Sequence, residues 1–181
     1  MSEADRQRWN ARHAAMTDDV ALPPDALRDR EHLLPGGGRA LDVACGRGAV
    51  AVWLAGRGFA VDAVDVSGTA LAAGAALARH TGTVDRVRWW CHDLDGGLPA
   101  GCVDTYAVVV CQRFRDPALY PELVARLGAG GLLVVSVLTE VGNGTGPYRA
   151  PPGELLGAFG ALEVLAHAER DGEASIVARR P

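Results

Sequence analysis

The 181-residue chain contains no lysine, and all 18 of its basic residues are arginine. That absence disfavours Schiff-base chemistry and removes the lysine on which a phosphate-binding P-loop depends. There is no polybasic run either, and with a formal charge of −4 the chain has nothing suited to a phosphate backbone or an anionic lipid surface. Nucleic acid is therefore a disfavoured partner. The four cysteines, Cys45, Cys91, Cys102 and Cys111, show no C-x-x-C spacing and no histidine pairing at zinc intervals. They read as structural thiols, and no metal is expected. No apolar h-region opens the chain and its longest apolar runs are of strand length, so neither a signal peptide nor a membrane span is expected and a cytoplasmic location follows.

What remains is an ordinary globular composition, 49% hydrophobic and 22% charged, in a length that buries a core without disulfides. We expect one domain over residues 1–181, with a helical cap or lid over 1–35 and a core over 36–181. Residues 2–15 read as a polar helix that Ser2 can cap, and its one large apolar residue is Trp9. Trp9 either pins this helix to the domain or serves as a lid, with Arg12 and His13 within one turn of it. A second helix is expected over 25–34, ended by Pro35-Gly36-Gly37-Gly38.

From there the chain alternates: strand 40–44, helix 48–57, strand 59–64, helix 69–80, strand 87–91, strand 106–111, helix 117–127, strand 131–138. A Gly-rich loop over 139–149, long enough to be a mobile wall, precedes a short helix, and two strands at 161–168 and 173–179 form a closing hairpin. This pattern predicts an α/β fold: a Rossmann-like, doubly wound, mostly parallel seven-stranded sheet with a C-terminal antiparallel hairpin and N-terminal helices. The nearly continuous apolar runs at 106–111 and 132–138 are its central strands.

In such a sheet, ligands bind at the carboxyl ends of the strands. Asp42 and the Cys45-Gly46-Arg47-Gly48 turn fall there after the first strand, Asp65 after the second, His92-Asp93-Leu94 after the third, and Cys111-Gln112 after the fourth. The turn brings backbone amides and a helix N-terminus to a ligand. Asp65 is placed to accept from a ribose diol, or alternatively to cap the helix after Ser67. Asp93 is placed to accept from an adenine amino group, or alternatively to close a turn. Because Gly46-x-Gly48-x-x-Ala51 also satisfies the relaxed dinucleotide fingerprint, the spacing alone leaves NAD open.

Leu41-Asp42-Val43-Ala44-Cys45-Gly46-Arg47-Gly48, then Val64-Asp65-Val66-Ser67, then His92-Asp93-Leu94, resembles the class I S-adenosylmethionine-dependent methyltransferases over nearly the whole chain. The later stretches Cys111-Gln112-Arg113-Phe114-Arg115-Asp116-Pro117 and Pro152-Gly153-Glu154-Leu155-Leu156 resemble the small bacterial branch with tellurite-resistance and thiopurine-type enzymes. The resemblance implies that the Ala44–Gly48 backbone, with Cys45 and Gly46, holds the methionine part of the cofactor while Asp42 favours its ammonium. It further implies that Asp65 holds the ribose, Val66 lies against the adenine, and His92, Asp93 and Leu94 border the adenine edge. Cys111 and Gln112 would contact the methionine end, and S-adenosylhomocysteine would be the product. Asp42 within the first strand, Asp93 after the third, and the lack of room for a substrate domain favour this donor over NAD.

Methyl transfer from a sulfonium is an in-line displacement that needs no acid–base dyad, and none is visible. The acceptor pocket is expected from Trp9, Arg12, Arg113, Phe114, Tyr148 and Arg149, whose arginines suit a small anionic or polar acceptor. A monomer or homodimer is expected. A protein that binds S-adenosylmethionine without catalysis would carry the same cofactor residues.

Overall fold

The computed structural model describes residues 3–16, 20–103, 105–146 and 148–181. The expected cap at Ser2, and Pro147 within the Gly-rich loop, lie outside the described residues. The chain divides into two compact units, Met1–Pro23 with Gly37–Asp104, and Pro24–Gly36 with Thr105–Pro181. Its seven strands are ordered β3-β2-β1-β4-β5-β7-β6.

The first unit holds α1 (Glu3–Ala14), β1 (Arg39–Val43), α2 (Ala49–Gly56), β2 (Ala60–Asp65), α3 (Gly68–His80) and β3 (Val87–Cys91). β1, β2 and β3 pair in parallel, with Asp42 opposite Ala63 and Asp65 opposite Cys91. β1 is buried from Ala40 to Val43, and α2 buries six successive residues from Val50 to Ala55. A helix this apolar on every side belongs in a core. α3 starts where the Ser67 hydroxyl accepts the Ala70 N–H at 3.1 Å, and it ends with Arg79 and His80 in its last turn, where cations favour the helix dipole.

The second unit holds β4 (Tyr106–Gln112), α4 (Tyr120–Ala125), β5 (Leu127–Leu138), α5 (Glu154–Phe159), β6 (Glu163–Arg170) and β7 (Glu173–Arg179). β4 and β5 are parallel, whereas β7 runs antiparallel to both β5 and β6. Asp171 and Gly172 join β6 to β7, both at positive φ (53° and 81°), which is the twist a two-residue hairpin turn requires.

Three expected elements differ. The helix expected over 25–34 is two short 3-10 turns, Asp25–Leu27 and Glu31–Leu33, because Asp29 stands at φ 64° and interrupts any helical ladder. The helix expected over 117–127 begins only at Tyr120, since Asp116 closes a local turn, accepting from Ala118 N–H through its carboxylate and from Leu119 N–H through its carbonyl, both at 3.0 Å. Gly128–Gly131, expected as a loop, is drawn into β5 through an irregular register between Tyr106 and Val108. Gly130 donates to Arg180 there, and Arg180 donates back to Gly131.

The 139–149 loop is laced to the hairpin rather than loose. Thr139 N–H donates to the Gly172 carbonyl at 3.0 Å, and Gly172 N–H to the Val141 carbonyl at 2.8 Å. The two carboxylate oxygens of Glu169 accept from the Thr139 hydroxyl and the Gly153 N–H.

Candidate cofactor site

The glycine turn grows directly out of β1. Cys45 N–H donates to the Val64 carbonyl at 3.0 Å, extending the ladder by one residue, and Gly48 N–H then folds back to the Cys45 carbonyl at 2.9 Å. Three alternate residues adopt left-handed backbone: Ala44 (φ 53°), Gly46 (φ 52°) and Gly48 (φ 73°). Only Ala44 carries a side chain there, and such strain persists where its surroundings hold it in place. Gly48 is the N-cap of α2 and offers no side chain to close that end.

Asp65 organises the turn. One of its oxygens accepts Gly46 N–H and the other accepts Ser67 N–H, each at 2.8 Å. Asp65 therefore ties the glycine turn to the start of α3. The Ser67 hydroxyl caps α3, and Asp65 accepts the N–H of that same N-cap residue.

Asp42 is 2% exposed and sits behind the turn. Burial, opposed by a hydrogen bond from the Ala51 backbone and reinforced by the charge of Asp65, pushes its carboxyl up to about 8. Its Oδ2 is buried without a partner among the described residues. A buried carboxylate oxygen with nothing to accept is costly unless a ligand completes it. The Cys45 thiol is raised well above its ordinary value by burial and by Asp42 and Asp65, so it is a poor nucleophile.

Val66 follows Asp65, and its carbonyl accepts from the Cys91 thiol at 3.6 Å. His92 N–H donates to the Asp65 carbonyl at 3.0 Å, and its Nε2 is buried and unpartnered among the described residues. The Asp93 carboxylate accepts Asp95 N–H at 3.0 Å, and the Leu94 side chain is buried. Asp42, Ala44, Cys45, Gly46, Gly48, Asp65, Val66, His92, Asp93 and Leu94 thus come together in one unit. The fit to a ligand bearing a cation, a diol and an adenine-like edge rests on the orphaned oxygen of Asp42 and the orphaned nitrogen of His92.

Sequence reasoning missed how α1 engages this turn. Arg47 donates to the His13 carbonyl at 2.5 Å, and Asn10 Oδ1 accepts from the Ser67 hydroxyl at 2.7 Å. A Cβ on Gly46 would meet the His13 ring at 3.4 Å. Trp9 stacks near His13, with centroids 6.1 Å apart, and Arg12 lies 5.3 Å over the Trp9 ring. Asn10 carried no signal in the sequence, because a polar residue on a polar helix has no distinguishing pattern.

Cys111 and Gln112 lie in the second unit. Cys111 is buried, with its thiol 3.7 Å from the Phe114 carbonyl, and the Gln112 side chain accepts Asp25 N–H at 3.2 Å. Arg113 follows at φ 53°, largely exposed, 3.4 Å from Glu173. Phe114 is half-buried, Tyr148 is exposed, and Arg149 holds the Thr139 carbonyl at 2.8 Å. Arg115 makes a forked pair with Glu154, which also accepts from the Tyr120 hydroxyl at 2.8 Å. That pair keeps Arg115 within the packing of α4 and α5. Among the described residues no cluster of His, Cys, Asp or Glu could hold a metal, and no helix is long and apolar enough to cross a membrane.

Strand order, the glycine turn and the two carboxylates define a Rossmann-like class I methyltransferase fold. The chain belongs to the methyltransferase-domain family, whose sequence profile matches residues 40–131; S-adenosylmethionine is the methyl donor of that class. It is similar to the ribosomal RNA small subunit methyltransferase C of Chromohalobacter salexigens, at 36% identity over an alignment of 157 residues that covers 81% of this chain. It spans only 41% of that relative's length. Its fold is similar to that of TehB from Haemophilus influenzae, with a TM-score of 0.75 at 16% identity, covering 96% of this chain and 67% of the other. It also resembles a methyltransferase from Geobacter sulfurreducens solved with S-adenosyl-L-homocysteine, with a TM-score of 0.64 at 21% identity, covering 88% and 73%.

Proposed function

We propose that the chain transfers a methyl group from S-adenosylmethionine to a small-molecule acceptor. The observation that carries this reading is the unpartnered, buried oxygen of Asp42 behind a turn that Asp65 fixes in place. Bound there, the cofactor supplies a methyl group on a positively charged sulfur. The chain's own work is binding and orientation: Asp42 meets the ammonium, the Ala44–Gly48 backbone holds the methionine part, and Asp65 accepts from the ribose. Val66, His92, Asp93 and Leu94 border the adenine. Positioning and exclusion of water supply the acceleration, since displacement at a sulfonium disperses charge and requires no general base.

Arg113, Phe114, Tyr148 and Arg149 of the second unit are acceptor candidates, and their cations favour a small anionic or polar acceptor. An RNA acceptor is the second reading, favoured by the relative from Chromohalobacter salexigens; the net charge of −4 argues against it. Purified protein incubated with methyl-labelled donor should label one member of a panel of thiols, phenols, carboxylates, tellurite and selenite. Label on small-subunit ribosomal RNA instead would replace the acceptor class, and binding without transfer across both sets would mark a non-catalytic cofactor-binding protein.

A further inference from the structure

The edge of the Trp89 side chain, on β3, reaches the backbone of the glycine turn. A Cβ built on Gly48 would collide with ring carbons Cη2 and Cζ3 of Trp89, the latter at 2.7 Å. A Cβ built on Gly74, in the middle of α3, would collide with the same two atoms at 2.5 and 2.7 Å and would stand 3.1 Å from the Arg47 carbonyl. The Gly74 Cα itself lies 3.3 Å from where a Gly48 Cβ would be. The ring edge is thus a wedge between the N-cap of α2 and the body of α3. It is held from behind by Val52, Leu77 and Ala78.

The two glycines are required for different reasons. Gly48 needs its freedom for a left-handed φ of 73° as well as for space. Gly74 has no such backbone demand, and a mid-helix glycine weakens its helix. Its absence of a side chain serves the approach of Trp89 and of the Arg47 carbonyl. Because Gly48 N–H closes the turn on the Cys45 carbonyl, anything that moves the ring edge moves the amides between Cys45 and Gly48.

We propose that Trp89 is a positioning residue for cofactor binding, its ring edge setting where the backbone of the Cys45–Gly48 turn stands. This rests on the cofactor reading of the preceding section. Gly101 provides an internal control: a Cβ there would collide in the same way with the ring of Trp90, with Cζ3 at 2.9 Å, but away from the turn.

The test is calorimetric titration of the full chain with S-adenosylhomocysteine, alongside thermal melting by circular dichroism. Gly74→Ala should weaken binding at least ten-fold, and Gly74→Ala combined with Trp89→Phe should recover most of it, because phenylalanine lacks the outer ring atoms that the new methyl group meets. Gly101→Ala should melt at a lower temperature yet bind as the wild type does. If Gly74→Ala does not fold, Trp89→Phe alone decides, with a several-fold loss of affinity expected. Wild-type affinity in a folded Gly74→Ala, or in Trp89→Phe, or a double variant no better than Gly74→Ala, would overturn the proposal. A wild type that binds with all variants unaffected overturns this proposal alone, whereas a wild type that does not bind overturns the cofactor reading with it.

Discussion

Asp42 and Asp62 are both buried aspartates on neighbouring parallel strands, one register position apart. Asp62 is fully provided for: Arg39 donates to one oxygen and the Trp90 indole N–H to the other, both at 3.0 Å. Asp42 receives a backbone N–H from Ala51, and its second oxygen has no partner among the described residues. Burial of the same residue type has been solved from within the protein at one site and left open at the other. A satisfied buried carboxyl holds a fold together, and an orphaned one marks a place for a ligand.

That contrast is breakable. The largest effect on stability should come from Asp62→Ala, which strands the Trp90 N–H and should cost about 2–3 kcal/mol in urea unfolding without altering cofactor affinity in the folded protein. Asp42→Asn should do the reverse: it should stabilise the ligand-free protein near pH 8 by on the order of 1–3 kcal/mol while weakening S-adenosylhomocysteine binding by about ten-fold. The pH dependence sharpens the sign. Asp42 keeps its proton up to about pH 8 when folded but releases it near 3.8 when unfolded, so the native state binds the extra proton in between. Its contribution therefore falls as pH rises from about 4 to about 8 and is level above that, and the difference between wild-type and Asp42→Asn stability should move in that direction over the same range. A flat difference curve would mean that burial does not hold the proton on Asp42. The smallest effect is a reporter: above about pH 8, where Asp42 ionises, Asp42→Asn removes one of the negative neighbours that raise the Cys45 thiol, so alkylation of Cys45 should quicken there by about two- to three-fold, with exposed Cys91 as the internal reference.

The sequence exposes what is local and periodic. Strand alternation, the Gly46–Gly48 turn and the acid that closes β2 each sit in a short window, and the hairpin at Asp171-Gly172 announces itself by residue type. The helix expected over 25–34 and the start of β5 differ from the sequence pattern because the left-handed Asp29 and a β-bulge depend on what the chain packs against. The wedge of Trp89 between Gly48 and Gly74, and the hold of Asn10 on Ser67, join elements distant in the chain. No spacing rule records them. The raised pKa of Asp42 is equally hidden, since it follows from burial and from Asp65 rather than from its neighbours in sequence.

The central claim, that the turn after β1 is an S-adenosylmethionine site governed by Asp65, has one direct measurement. Calorimetric titration with S-adenosylhomocysteine and with NAD should show saturable binding of the former alone, lost or weakened by about 100-fold or more in Asp65→Ala, as two charge-assisted hydrogen bonds and an anchored turn disappear together. Tight binding of NAD, or undiminished binding of S-adenosylhomocysteine by Asp65→Ala, would contradict it.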